Sequence, residues 1–372
     1  MSNLVAVFQI GSLGDSIVSL PTLMSIKELI PDCSGYLLVS RFDSKLKVLP
    51  SEIFQMAWKP KVQLHYAGPD RPFLQMITVP AVLARLRYYN PHYCVSLMPA
   101  GREPERVERD KKFFRTAGIK NLLGFEALPE TRFQPSSEVT VEDTEAYQRF
   151  ERVWGSAAHE NFEKYTRVPI MTPSAVATEK VAVWLKKNRR YPEKRLIALS
   201  PYSNFPSRDV PEKTLLELMP QLAGKAAAEV VIVGGSKDSN RAGEIIAATS
   251  SGLNACGVFS IQESAALLKA SRLAICTESG PMHLASAVGV PLLATFSRIN
   301  PQLARWLPFG QRSTILYRDV PCKGCFQVNC PVEGHPCMSG ISAENILCSA
   351  MNILSGLPIV QSAMNGTRVL TW

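Results

Sequence analysis

No apolar stretch of this 372-residue sequence reaches the ~20 residues that a membrane-spanning helix needs. Nor does a basic segment precede an apolar one at the start. Leu4 to Ile10 already reads as a strand, so no signal peptide and a cytoplasmic location are expected. Long biased tracts are missing and charged residues make up 20%, which argues against extensive disorder. There is no G-x-G-x-x-G. The turn Gly11-Ser12-Leu13-Gly14-Asp15 has two glycines and then an acid, so a nicotinamide or flavin cofactor is not expected. Acidic residues are scarce beside basic ones, 32 against 41, and the net charge of +9 suits an acidic partner. Basic runs are not interleaved with aromatics and no nucleic-acid module is present, so nucleic acid is not expected. An anionic membrane surface or a phosphorylated acceptor remains.

What is present is enough for two cores: 46% of residues are hydrophobic, and the length suits two domains. Strand-like and helix-like stretches alternate, which predicts parallel sheets covered by helices, an α/β fold. The first half reads as a strand over Asn3–Ile10, a helix over Ser16–Leu29, a strand over Gly35–Ser40 and a helix over Phe73–Tyr89. A strand over Tyr93–Met98, a charged helix over Glu105–Ala117 and an amphipathic helix over Glu142–Trp154 follow. Domains are expected at 1–170 and 195–356, with a linker and helix at 171–194 and a tail at 357–372 that returns to the first domain.

The chain is organised around Leu273 to Ser297, LAICTESGPMHLASAVGVPLLATFS. Leu273–Cys276 is a buried parallel strand, Thr277–Gly280 a turn, Pro281 a first helical residue, and Val290–Phe296 the next strand. Such a unit puts a helix N-terminus at the carboxyl end of a strand. Free N–H groups and the helix dipole there suit a phosphate, although Ser279 could equally be only a cap.

ESGPMHLASAVGVPLLATFS resembles the D-T-G-P-M-H-L-A-A-A-x-G-x-P-x-x-A-x-F-G signature of glycosyltransferase family 9, the ADP-heptose:lipopolysaccharide heptosyltransferases. Glu278 stands where that family has Asp, and Ser279 where it has Thr. GSLGD followed by SLPTLMSIKELIP resembles the family's N-terminal S-S-L-G-D motif, which implies Asp15 as catalytic base, with Gly11, Ser12, Leu13 and Gly14 on the acceptor side. Read by itself, an Asp there is a helix cap. The resemblance implies donor contacts from Ser203, from Arg208 in place of the family's lysine, and from Gly234, Gly235 and Asp238. It also implies them from Glu278, Ser279, Gly280, Pro281, Met282 and His283. Asp238 could instead cap a helix, His283 pack inward, and Arg208 be a surface arginine. Arg102 could meet acceptor anions by the same analogy.

The remaining local pattern is Cys322-x2-Cys325-x4-Cys330-x6-Cys337. Four thiols in so short a loop suit a structural zinc or iron, or else packed thiols. Some members of the family carry a similar segment.

The fold implied is GT-B, two Rossmann-like domains with parallel sheets facing a cleft. The activity implied is inverting transfer of a heptose from ADP-heptose to an anionic glycolipid or saccharide acceptor of the lipopolysaccharide core. No cofactor is needed for catalysis, and contact with the inner face of the cytoplasmic membrane is compatible. The alternatives are a family-9 transferase with another nucleotide sugar and a non-lipopolysaccharide acceptor, and a catalytically degenerate GT-B binding or scaffold protein.

Overall fold

A computed structural model describes residues 4–42, 48–99, 101–126, 140–297, 304–310, 313–322, 327–357 and 367–371. The chain divides into two compact units. Unit 1 comprises Met1–Arg167 and Ala304–Leu307; unit 2 comprises Val168–Leu303 and Pro308–Trp372.

Unit 1 is built on a parallel sheet of β1 (Leu4–Phe8), β2 (Gly35–Phe42), β3 (Val62–Ala67), β4 (Tyr93–Ser96) and β5 (Asn121–Leu123), in the order β3-β2-β1-β4-β5. β1 and β2 are near-continuous apolar runs because helices cover both faces. Phe8, Phe114 and Phe125 fill the core, with Phe8 edge-on to Phe114 at 5.2 Å between ring centroids. The helix expected over 16–29 is two helices, α1 (Leu13–Val18) and α2 (Leu20–Leu29). Pro21 has no N–H for a continuous ladder, so Ser19 closes one helix and opens the next. The sequence reading passed over α3 (Pro50–Phe54), β3 and α7 (Ala157–Tyr165). The expected helix over 73–89 is α4 (Pro72–Tyr89), and the charged one is α5 (Pro104–Thr116). The amphipathic helix is α6 (Glu145–Trp154), opened by Thr144, whose hydroxyl accepts the Tyr147 N–H.

Unit 2 opens with α8 (Ala175–Asn188) and continues into a second sheet. Its strands are β6 (Arg195–Ser200), β7 (Ala228–Ile232), β8 (Leu253–Asn254), β9 (Leu273–Thr277), β10 (Leu292–Phe296), β11 (Ser313–Arg318) and β12 (Thr367–Thr371), in the order β12-β11-β10-β9-β6-β7-β8. Every pairing is parallel except β11–β12, which is antiparallel. Residues 367–371 of the tail, which the sequence reading had returning to unit 1, form a strand on this sheet. Its backbone groups are satisfied along β11. The crossover helices are α9 (Glu212–Gly224), α10 (Ser239–Thr249), α11 (Ile261–Ala270) and α12 (Gly280–Val288). α11 starts at the expected capping box: Ser260 Oγ accepts the Glu263 N–H at 3.3 Å while Glu263 accepts the Ser260 N–H at 2.9 Å.

The strand orders place the crevices. In unit 1 the winding reverses between β1 and β4, and in unit 2 between β6 and β9. Ligands of open α/β sheets bind beyond the carboxyl ends of the strands at such reversals.

Candidate active site

At the reversal of unit 1, the turn after β1 carries Asp15 as the third residue of α1. Its carboxylate accepts the Ser12 N–H at 2.9 Å and the Ser12 hydroxyl at 2.7 Å. Gly11 leaves the room: a Cβ there would stand 2.4 Å from the Asp15 Cβ. Beneath this turn lies Arg149, with no solvent exposure. It donates to the Asp15 carbonyl at 2.7 Å, to the Leu97 carbonyl at 2.9 Å and to Glu145 at 2.8 Å, and its remaining nitrogen lies 3.5 Å from the Asp15 carboxylate. One guanidinium thus ties the turn after β1 to the end of β4. Glu145 is also fully buried and pairs with Arg305, whose Nε donates at 3.0 Å. The Glu145 N–H in turn reaches the Arg305 carbonyl at 2.7 Å. Burial alone would raise the Glu145 carboxyl, but Arg149 and Arg305 outweigh it and hold it below its ordinary value.

Sequence reasoning missed this network. Glu145 and Arg149 stand four apart on an amphipathic helix, a spacing that reads as a solvent-facing pair. Arg305 lies 160 residues away from Glu145. Arg102, expected to meet acceptor anions, is paired with Asp110 at 2.7 Å. It borders a small pocket with Ser96, Gly101, Gly124 and Arg152. Burial pushes the Arg152 guanidinium down to about 10, and it donates to the Met98 and Pro99 carbonyls.

At the reversal of unit 2, the loops after β6 and β9 meet. Arg208 pairs with Glu278 at 3.0 Å and packs over the Phe205 ring, 4.6 Å from its centroid. The Thr277 hydroxyl donates to the Arg208 carbonyl. Arg208 is therefore held by partners, with its side chain 19% exposed. Glu278 is 3% exposed; burial pushes its carboxyl up to about 7, with Arg208 and a hydrogen bond from Ser297 acting against that rise. The next residue, Asp209, accepts the Ser203 N–H at 2.7 Å and pairs with Arg241 at 2.9 Å. Arg241 lies over the Tyr202 ring, 4.2 Å from its centroid. Lys237 donates to the Ser203 carbonyl at 3.0 Å and to Asn204 at 3.2 Å, joining the loop after β7 to the same place. None of Asp209, Lys237 and Arg241 was singled out from sequence.

Asp238 accepts the Gly235 N–H at 3.0 Å, so its carboxylate caps the turn that follows β7. Ser279 stands at the N-cap of α12 in extended conformation. Its hydroxyl donates back to the Thr277 carbonyl at 3.1 Å and makes no cap bond, so the first-turn N–H groups of α12 are not taken up by it. Pro281 occupies the first turn as expected, and Met282 and His283 are buried. The two units between them hold a carboxylate on a fixed turn, and a helix N-terminus beside an arginine. The first can accept a proton and the second can hold a phosphate.

Of the cysteine cluster, Cys325 lies outside the described residues. Cys337 is buried, which pushes its thiol up to about 11, with Cys330 and Cys322 near enough to add to the rise. Among the described residues no group of three or more His, Cys, Asp or Glu side chains is arranged to hold a metal.

The sequence model of the family described as "Glycosyltransferase family 9 (heptosyltransferase)" matches residues 150–335. The lipooligosaccharide heptosyltransferase 2 of Campylobacter jejuni is 31% identical over 83 residues, 22% of this chain and 25% of that protein. The lipopolysaccharide heptosyltransferase 2 of Salmonella typhimurium is 30% identical over 115 residues, 29% and 33% of the two. The chain thus spans a third or less of the length of these curated relatives. Among solved structures, a family 9 glycosyltransferase of Veillonella parvula superposes with a TM-score of 0.68 at 15% identity, covering 95% of this chain and 98% of that one. The heptosyltransferase WaaC of E. coli, solved with ADP, superposes with a TM-score of 0.61 at 13% identity over 94% and 99%. These likenesses show the fold, α/β of the GT-B class. The family match covers half of the sequence and contains both loops of the unit 2 site: the chain belongs to glycosyltransferase family 9.

Proposed function

We propose that this protein is an inverting glycosyltransferase that moves a heptose from ADP-heptose to a lipopolysaccharide-core or related saccharide acceptor. The observation that carries the reading is the pair of sites at the two sheet reversals. One is Asp15 on a turn braced from below by Arg149; the other is Arg208 beside the N-terminus of α12. An E. coli relative of the same fold was solved with ADP, which supports an adenine nucleotide donor.

In the reaction, an acceptor hydroxyl gives its proton to the Asp15 carboxylate as its oxygen attacks the anomeric carbon. The bond from that carbon to the diphosphate breaks, and the nucleoside diphosphate leaves with the electron pair. The N–H groups of Ser279 and Gly280 and the Arg208 guanidinium take up the charge on the departing phosphate, and such preorganised donors are usually the largest catalytic contribution. Gly234, Gly235, Ser203 and Asp238 shape the nucleotide side, and Ser12 fixes the carboxylate that does the proton transfer. The Arg208–Glu278 pair, unlike the Lys and Asp of the family pattern, favours one second reading, another nucleotide sugar as donor.

Calorimetric titration with ADP, UDP and GDP, with and without EDTA, tests the donor. The expected result is EDTA-insensitive binding of ADP in preference to the other two. A preference for UDP or GDP moves the assignment to the second reading, and no nucleotide binding at all overturns both. Asp15→Asn should keep ADP binding while lowering turnover by roughly 10²–10⁴.

A further inference from the structure

We propose that α4 of unit 1 is a docking surface for an anionic phospholipid bilayer. Helices on the faces of an α/β sheet bury one stripe and turn a polar one to water. α4 has the buried stripe, Val82 and Leu86 with Leu83 and Tyr89 against the core. Its other face is apolar as well. Phe73 is 83% exposed, Met76 74%, Ile77 69% and Tyr88 82%. Pro80, Ala81 and Ala84 continue the same stripe at steps of three and four residues and are also exposed. Among the described residues nothing covers it. Scattered exposed hydrophobics need no explanation, but a stripe along a helix of 18 residues is a contiguous patch.

The charges on and around the patch select its occupant. α4 carries no acidic residue, and its only charges are Arg85 and Arg87, with Arg71 just before it. Arg87 donates to the Thr116 carbonyl at 3.0 Å, which ties this end of α4 to the end of α5. There Arg109, Lys112 and Arg115 are exposed, with Glu105 and Glu108 nearer the start of α5. Between residues 70 and 120 there are ten basic residues against five acidic ones. An apolar stripe with cationic flanks is the chemistry of a helix lying in the plane of a negatively charged leaflet. Acyl chains take the aromatic and aliphatic side chains, and headgroups take the arginines. A second copy of the chain fits poorly, because a two-fold contact through α4 would face arginines with arginines and offer no carboxylate on the helix. No described helix is long and apolar enough to cross a membrane, so the contact is lateral. The inference deepens the proposed function, and rests on it, in saying where the enzyme meets the membrane that bears its acceptor.

Co-sedimentation of the full chain with vesicles tests it. Pure phosphatidylcholine is compared with a mixture holding roughly one-third phosphatidylglycerol, each at low and high salt. The wild type should bind the anionic vesicles about tenfold more tightly than the neutral ones, and less tightly at high salt. Phe73→Ser with Ile77→Ser should lose about tenfold or more, and Arg85→Glu should lose the preference for anionic lipid. All of these side chains are exposed, and unchanged circular dichroism and ADP binding would confirm that the variants fold. Two results overturn the proposal: no binding of the wild type to anionic vesicles, or equal binding by the double variant. A wild-type dimer in light scattering that the double variant dissociates would give the face to a second copy and also overturn it. The assay contains no donor or acceptor. A failure here leaves the transferase reading standing, and a failure to bind nucleotide leaves the docking result standing.

Discussion

Glu145 in unit 1 and Glu278 in unit 2 are both carboxylates hidden from water beside a sheet reversal, and the two behave in opposite ways. Glu145 in unit 1 has two arginines and is held below its ordinary value; Glu278 in unit 2 has one and is pushed up to about 7. Desolvation acts on both. The number and depth of the cations decides the sign: Arg149 and Arg305 are both buried, whereas Arg208 is partly open to solvent. Unit 1 therefore holds a permanent ionic brace, and unit 2 a pair whose charge can be set aside at ordinary pH.

The sharpest way to break this comparison is to make the same change at both places. Glu145→Gln strands two buried guanidiniums and should cost about 3–5 kcal/mol in denaturant unfolding. Glu278→Gln should cost less than about 1 kcal/mol near pH 4.5, where it mimics the protonated form, and should be neutral or stabilising as pH approaches 7. Comparable losses would mean that the two carboxylates are equally committed to charge. The units need not unfold together, so each transition has to be followed separately.

Acidity sharpens the contrast next. The folded value of Glu278 lies above its ordinary 4.5. The stability it contributes is then full below about 4.5 and is lost as pH rises to about 7, a change of at most about 3 kcal/mol relative to Glu278→Gln. Glu145 runs the other way: its contribution is present above the ordinary value and disappears on acidification through the lowered one. Melting temperatures of the wild type and the two glutamine variants, followed from well below the ordinary carboxylate value of 4.5 up through about 7, should diverge at opposite ends.

Removing the cation of unit 2 is a milder probe. Arg208→Met should cost about 1–2 kcal/mol near pH 7, where Glu278 can take up a proton, while weakening ADP binding by about tenfold or more in titration calorimetry. The smallest expected effect is Arg241→Ala. Its side chain is 51% exposed, and loss of its pair with Asp209 should cost under about 1 kcal/mol in the same unfolding experiment.

The sequence showed unit 2 better than unit 1, for physical reasons. The βαβ segment around α12 is contiguous: buried strand, turn, proline at the first turn, and Gly289 with positive φ at its end. Everything that defines its backbone lies within about two dozen residues, so local pattern suffices. The Asp15 turn was legible on the same terms. What braces it was not, because Glu145, Arg149 and Arg305 are charged residues placed by tertiary packing. Charge in a helical pattern reads as surface until a partner from elsewhere is in view. The pairing of Arg102 with Asp110 on the adjoining helix was likewise not legible, since it depends on how the loop before that helix folds. The edge position of β12 was also hidden, since an isolated pentapeptide carries no signal of the strand it will pair with.

The partnership of Glu145 with Arg305 also orders events in time. During synthesis the carboxylate emerges 160 residues before its second cation. At ordinary translation rates of about 5–20 residues per second, that is a wait of roughly 8–30 s. Through that interval the nascent first unit has Arg149 but lacks the segment Ala304–Leu307 that completes it. Its final consolidation is thus deferred until most of the second unit has been translated. A fragment ending at residue 167 should stay in that unfinished state, and adding the missing segment in trans should restore what the ribosome supplies last.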